Sequence, residues 1–115
     1  SAGKDIWIHS CGNIEQIIPD LLNMGVDVLN PLQPEVMDIY RIKKKYGDRL
    51  TFWGGISTQK TLPYGTPDEV RQEVRQVVAA MSRGGGYITS PAQDIQSDVP
   101  FENILAIIEE AQSFA

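Results

Sequence analysis

Short apolar segments alternate with longer amphipathic segments along the whole chain. The apolar segments lie at 6–9, 26–30, 50–53 and 87–90, and they have the length and composition of buried β-strands. The amphipathic segments lie at 14–24, 35–46, 66–82 and from 101 onwards, with apolar residues at the spacing of a helix. This βαβαβαβα order with short connections predicts an α/β fold with parallel strands and right-handed crossovers.

Local signals set the predicted helix boundaries. Asn13 is placed to cap the first helix and Gly25 to follow its last turn. Pro19 lies inside that segment, so it indicates either a kink or a later start of the helix. Thr66 and Glu69 have the spacing of a capping box at the start of the third helix.

Two architectures fit this order of elements: an open doubly wound sheet and part of a (β/α)8 barrel. A full barrel needs ~200 residues or more, so the 115 residues of this chain would supply about half. Four parallel strands alone leave two unpaired edges. We therefore expect a missing partner, either the rest of a longer chain or a second copy. Residues 1–4 resemble a truncation point or an expression scar.

Composition and charge exclude several classes of partner. The net charge is -5 and no basic stripe is present, which argues against nucleic acid and anionic membranes. No apolar run approaches the ~18 residues of a membrane span. The single cysteine, Cys11, excludes an internal disulfide and fits a reducing cytoplasm. The lysines 43–45 are predicted to form a solvated helix end, and the glycines 84–86 to stop a helix and not to bind phosphate.

Polar residues follow all four predicted strands. In both architectures the functional face lies at the carboxyl ends of the strands, so we expect these loops to form one pocket. The residues are His9, Ser10, Cys11 and Asn13; Asn30 and Gln33; Gly54, Gly55, Ser57, Thr58 and Gln59; and Ser90, Gln93, Asp94, Gln96 and Asp98.

The pair His9 and Cys11 is the sharpest local motif. Imidazole and thiolate suit zinc, and a catalytic zinc takes three protein ligands and one open position. The third ligand would be Asp94 or the weaker Gln93, or would come from another segment. Two other interpretations stay open. One is a buried, hydrogen-bonded histidine beside a small buried cysteine, which the motif alone favours. The other is a Cys–His nucleophile pair, for which no orienting third group is evident.

Five stretches carry a family resemblance across essentially the whole chain. They are HSCGNI at 9–14, GVDVLNPLQP at 25–34, FWGGISTQ at 52–59, TLPYGTPDEV at 61–70 and GGGYI at 84–88. In order and spacing they resemble the uroporphyrinogen decarboxylase superfamily. The resemblance implies that residues 1–115 are one domain, the C-terminal half of a TIM (β/α)8 barrel.

The resemblance implies one of two chemistries. Uroporphyrinogen decarboxylases remove carboxylates from a tetrapyrrole without a cofactor, whereas corrinoid-linked methyltransferases of the superfamily use zinc to activate a thiol. His9 and Cys11 resemble the zinc-binding pair of the methyltransferase branch. The third ligand of that branch, a cysteine or in related members a histidine, falls where this chain has Gln93. The decarboxylases also carry a histidine in this loop, which the chain lacks.

We therefore expect a segment closer to the zinc-dependent cobalamin:thiol methyltransferases than to the decarboxylases, with a partner-borne corrinoid as methyl donor. The substrate would be a small thiol, a methyl-corrinoid or a tetrapyrrole, and the residues expected to contact it are Asn30, Gln33, Gly55, Ser57 and Gln93. The other half of the family's barrel supplies substrate contacts, so the isolated chain is expected to be inactive. The alternative is a non-catalytic half-barrel that binds or assembles, including with itself.

Overall fold

The computed structural model describes residues 2–114, in which strands and helices alternate. Within this range the strands are β1 (Trp7–His9), β2 (Val28–Leu32), β3 (Thr51–Ile56) and β4 (Tyr87–Pro91). The helices are α1 (Ile18–Asn23), which follows a 3₁₀ turn at Glu15–Ile17, α2 (Ile39–Tyr46), α3 (Thr61–Tyr64), α4 (Pro67–Met81) and α5 (Phe101–Gln112). The predicted order is confirmed, and α3 is an additional short helix in the long loop after β3.

The four strands form one open parallel sheet in the order β1-β2-β3-β4, as predicted. The register pairs His9 with Asn30 across β1 and β2, and Gly55 with Ser90 across β3 and β4. Because the strands are parallel, their carboxyl ends lie at one edge of the sheet. The four loops that carry the polar residues therefore start from the same edge.

The two faces of the sheet differ in how well they are covered. Leu29 of β2 and Phe52 of β3 are fully buried in one core with Val70 and Val74 of α4. Successive side chains of a strand point to opposite faces, so the tryptophans of β1 and β3 lie on the other face. Their rings meet edge to face with centroids 5.4 Å apart, and the ring of Trp7 is half exposed. The helices thus cover one face and leave the opposite face partly open.

The first helix starts later than the simple helical spacing predicts. The 3₁₀ turn Glu15–Ile17 comes first and α1 begins at Ile18. Pro19 therefore lies in the first turn of α1, where its missing N–H is not needed for an intrahelical bond. Gly25 follows the last turn with a φ of +87°, as the sequence predicts.

The second helix also begins later than predicted, at Ile39 and not at 35. Asp38 caps it, since its side chain accepts a hydrogen bond from the backbone N–H of Arg41 at 3.1 Å. The prediction that lysines 43–45 are all solvated is wrong for Lys43. Its ammonium donates to the carbonyl of Gly85 at 2.6 Å, and burial lowers its pKa.

The longest helix, α4, has the predicted capping box. The side chain of Thr66 accepts from the N–H of Glu69, and the carboxylate of Glu69 accepts from the N–H of Thr66, both at 3.2 Å. Among the helices described between residues 2 and 114, none combines the length and the apolar character that crossing a membrane requires.

Candidate functional site

A cavity of about 490 Å³ lies at the carboxyl ends of the strands. Its wall is built from residues of all four strands and of the loop after β4. The lining residues are His9, Asn30, Trp53, Ser90, Pro91, Ala92, Gln93, Asp94 and Ile95. The expected pocket at this edge of the sheet therefore exists, although not every residue expected in it lies there.

Three of the candidate residues meet at Cys11. The Sγ atom of Cys11 lies 3.5 Å from Nε2 of His9, and the side-chain amide of Gln93 donates to the same sulfur at 2.9 Å. Cys11 and His9 are both exposed. The interpretation of a buried histidine beside a buried cysteine is therefore wrong. The loops after β1 and β4 meet here although 82 positions separate Cys11 from Gln93.

A chain of hydrogen bonds orients His9. Its Nδ1 lies 2.6 Å from Oδ1 of Asn30, and Nδ2 of Asn30 donates to the carbonyl of Trp53 at 3.3 Å. The contact follows from the sheet, since His9 and Asn30 are register partners on neighbouring strands. Asn30 is the orienting third group that the sequence alone does not reveal.

Gln33 and Gly55 are directed away from the cavity. Gln33 is buried, and its Oε1 accepts from the N–H of Gly12 at 2.7 Å, which holds the loop after β1. A Cβ at Gly55 would lie 2.9 Å from the hydroxyl of Tyr87 and 3.1 Å from Cγ1 of Val77. The space beside Gly55 is thus occupied by Val77 of α4 and Tyr87 of β4, and neither Gln33 nor Gly55 lines the cavity.

Ser57 lies in a second, smaller cavity of about 120 Å³. Its hydroxyl donates to the Glu35 carboxylate, and its N–H donates to Glu73 at 3.2 Å. The Thr61 hydroxyl donates to the other oxygen of Glu73 at 3.0 Å. Ser57 therefore does not share the cavity of His9, Asn30 and Gln93, contrary to the expectation of one pocket.

The sequence analysis missed the two glutamates of this second cavity. Burial raises the pKa of Glu73, the charge of Glu35 raises it further, and hydrogen bonds from Thr61 and Ser57 oppose the shift. Oε2 of Glu35 is buried without a hydrogen-bond partner in the described part of the chain. The only signal in the sequence was that Glu35 directly follows the loop after the second strand. Because a helix was predicted to begin at 35, Glu35 was assigned to that helix and not to a site.

The His9–Cys11 pair has the spacing that a shared zinc ion requires. Tetrahedral zinc with Zn–N near 2.0–2.1 Å and Zn–S near 2.3 Å places the two ligand atoms ~3.6 Å apart, and the observed separation is 3.5 Å. Turning the Gln93 amide by 180° would bring its oxygen to the sulfur side, and Asp94 lines the same cavity. Within residues 2–114 no cluster of three or more His, Cys, Asp or Glu side chains is present. Two ligands fit zinc, and the third is at best a weak oxygen donor.

Comparison with known proteins places the chain in a family. The model of the family described as Uroporphyrinogen decarboxylase (URO-D) matches residues 2–114. The chain belongs to the uroporphyrinogen decarboxylase family. The family resemblance seen in the sequence is thereby confirmed for almost the entire chain.

Members of the uroporphyrinogen decarboxylase family with two different names match the chain. It is 30% identical to Methylcobamide:CoM methyltransferase MtaA of Methanosarcina barkeri over 101 residues, which are 88% of this chain and 28% of that protein. It is 33% identical to Uroporphyrinogen decarboxylase of Psychromonas ingrahamii over 67 residues, 58% of this chain and 18% of that protein. The chain thus spans less than a third of the length of these curated relatives.

The fold matches part of a larger solved structure. The structure superposes on a methyltransferase from Methanosarcina mazei with a TM-score of 0.75 and 24% sequence identity. The match covers 99% of this chain and 32% of the methyltransferase chain. The prediction of four βα units from a TIM-barrel-like fold is confirmed.

Proposed function

We propose that this chain forms the thiol-activating part of a zinc-dependent methyltransferase of its family, with His9 and Cys11 as zinc ligands. The observation that carries the proposal is the 3.5 Å separation of Nε2 and Sγ, which is the spacing of two ligands on one zinc ion. The exposed Cys11 thiol and the oriented His9 imidazole, both at the end of β1, support it further.

When bound, zinc would supply Lewis acidity, which lowers the pKa of a thiol and keeps it a thiolate nucleophile at neutral pH. His9 and Cys11 would hold the metal, and the amide oxygen of Gln93, turned towards the sulfur, would add a weaker oxygen ligand. Asp94 lines the same cavity but does not form a cluster with His9 and Cys11 in the described residues. Trp53 forms an apolar wall of the same cavity and would exclude water from the bound thiol.

The proposed substrates are a small thiol as acceptor and a methyl group on a corrinoid carried by a partner. The name of the Methanosarcina barkeri relative pairs a methylcobamide with CoM, and we extend only that class of reaction to this chain. A cavity of about 490 Å³ is in the range of small-molecule sites. The rest of the barrel wall would come from the remainder of a longer chain or from a second copy.

Zinc binding to matched variants tests the proposal. Zinc content is measured by elemental analysis after dialysis, and zinc affinity by competition with a chromophoric chelator. The unmodified chain should hold stoichiometric zinc, and Cys11→Ala should lose it. Gln93→His should bind zinc more tightly, because imidazole is a far better ligand than an amide. Gln96→His makes the same replacement three residues along the loop and should leave the affinity unchanged.

A specific observation favours a second candidate, a non-catalytic half-barrel that binds or assembles. Gln93 occupies the position of a third ligand, and it donates a hydrogen bond to the sulfur instead of offering an oxygen. If neither the unmodified chain nor Gln93→His holds zinc, the methyltransferase proposal fails and this second candidate is favoured. If only Gln93→His holds zinc, the site has kept the geometry of a metal site without its affinity, which also favours the second candidate.

A further inference from the structure

Asn30 is held by both ends of its side-chain amide. Oδ1 lies 2.6 Å from Nδ1 of His9, and Nδ2 donates to the carbonyl of Trp53 at 3.3 Å. The opposite orientation of the amide would place Oδ1 against the Trp53 carbonyl, and two acceptors cannot form a hydrogen bond. The carbonyl of β3 therefore fixes which atom of Asn30 faces the imidazole.

The fixed amide determines where the proton of neutral His9 lies. Oδ1 can only accept, so Nδ1 must carry the proton that is shared with Asn30. The lone pair is then on Nε2, the atom that lies 3.5 Å from the sulfur of Cys11. This is the tautomer in which His9 offers Nε2 to a metal ion or to the thiol proton.

We propose that Asn30 is a positioning residue that locks His9 in the tautomer protonated at Nδ1. Asn30 was expected to contact substrate, but its polar atoms are engaged by His9 and Trp53 and do not point free into the cavity. The consequence for metal affinity rests on the proposed function, whereas the tautomer does not. A ligating histidine held in this way by a second group is a stronger and better aimed ligand.

The strand pairing explains why Asn30 reaches the Trp53 carbonyl. The ladder between β2 and β3 is irregular between Leu29 and Leu32. Pro31 falls in this gap and has no N–H to donate to the neighbouring strand. The side chain of Asn30 supplies a donor to β3 instead, so the irregular ladder and the orientation of His9 have the same origin.

The single histidine of the chain makes the tautomer directly measurable. Nitrogen-15 NMR of the zinc-free protein, recorded at an alkaline pH at which the spectrum no longer changes with pH, distinguishes a protonated from an unprotonated ring nitrogen. The unmodified chain should show a protonated Nδ1 and an unprotonated Nε2. Asn30→Ala should show two averaged signals from mixed tautomers. Asn30→Asp retains an acceptor for Nδ1 but replaces the donor to the Trp53 carbonyl by an oxygen, so it should restore a protonated Nδ1 without restoring the contact with β3.

A control separates positioning from a general structural effect. Ser90 lines the same cavity, but its hydroxyl donates to the carbonyl of Pro91 and not to His9. Ser90→Ala should therefore leave the tautomer unchanged. The inference is overturned if Nε2 carries the proton in the unmodified chain, or if Asn30→Ala leaves the spectrum as it was. A protonated Nε2 would be detected in the unmodified chain. The inference can therefore be refuted even if Asn30→Ala folds poorly.

Zinc affinity then connects the tautomer to the proposed function. Asn30→Ala should weaken zinc binding roughly 10-fold or more, and Asn30→Asp should recover most of the loss. If the unmodified chain binds no zinc but shows the locked tautomer, the proposed function fails and the inference stands. If zinc binds tightly and the tautomer does not depend on Asn30, the inference fails and the proposed function stands.

Discussion

Replacing Gly55 by alanine tests whether this β3 glycine serves packing or ligand binding. The φ of Gly55 is +95°, and an added Cβ would lie 2.9 Å from the hydroxyl of Tyr87 and 3.1 Å from Cγ1 of Val77. Tyr87 is not free to move away, because its hydroxyl donates to the carbonyl of Gly54 at 2.6 Å. Gly55→Ala should therefore destabilise the fold through backbone strain and overpacking together.

The size of the effect follows from three contributions. A left-handed backbone at a residue with a Cβ costs about 1–2 kcal/mol, and overpacking a filled site costs about 1–3 kcal/mol. The lower entropy of the unfolded chain returns about 0.4–1 kcal/mol. The free energy of unfolding should fall by about 1–4 kcal/mol, with the larger part from the contact with Tyr87.

Gly84→Ala is the matched control for the strain. Its φ is +73°, and an added Cβ would have no neighbour within 4 Å. It should therefore lower the free energy of unfolding by about 1 kcal/mol, so the difference between the two variants measures the overpacking. In the variant Gly55→Ala, a further change of Tyr87→Phe should recover part of that difference, because it removes the nearest atom.

Urea unfolding followed by circular dichroism measures these free energies, and zinc affinity is measured on the same samples. We expect Gly55→Ala to unfold at clearly lower urea than Gly84→Ala while the zinc dissociation constant stays unchanged. If both variants lose the same stability, the contact with Tyr87 has been overestimated. If Gly55→Ala keeps its stability and loses ligand affinity, Gly55 is a ligand contact after all.

Two further predictions concern pH and association. The raised pKa of Glu73 means that this carboxyl binds its proton more strongly in the folded chain than in the unfolded chain. Proton binding at Glu73 therefore stabilises the fold, and this contribution is fully present below about pH 4, near the ordinary carboxyl pKa. The contribution is lost as the pH rises through the raised pKa. In urea unfolding at several pH values, Glu73→Gln should reduce the fall of the unfolding free energy with pH. An unchanged fall would show that Glu73 does not cause it. The half-exposed Trp7 on the open sheet face predicts that the chain associates with itself. Light scattering should show a mean mass that grows with protein concentration, and Trp7→Ser should lower that mass. A stable monomer at micromolar concentration would refute this prediction.

The order of elements could be read from the sequence because it depends on local pattern. The capping box at Thr66 and the glycine after α1 formed as their residue types dictate. The start of α2 could not be read from spacing alone. Asp38 and Glu35 are both acceptable near a helix start, and the hydrogen bond to Arg41 selects the later one. The spacing of residue types thus predicts which helices and strands form, whereas individual hydrogen bonds determine where some of them begin.

The contacts within the site depend on register and were only partly predictable. Polar residues after parallel strands had to share an edge, which brings His9 and Gln93 together in one cavity. Whether a strand-end side chain turns into that cavity depends on the loop that follows. Ser57 turns towards the carboxylates of Glu35 and Glu73, and no pattern in the sequence connects these three residues.

Register also explains why the candidate metal pair and its orienting residue should respond to changes far from the site. Leu29 directly precedes Asn30 in β2 and is fully buried on the opposite face of the sheet, together with Phe52 of β3. Burial of these two side chains fixes the register in which Asn30 faces His9. A slip of one residue would bury Asn30 and turn Leu29 towards the cavity. The buried face therefore fixes the geometry of the exposed one. The position of Gln93 does not depend on this register, because Gln93 lies in the loop after β4. Its replacement by a better ligand can therefore change metal affinity without disturbing the sheet that orients His9.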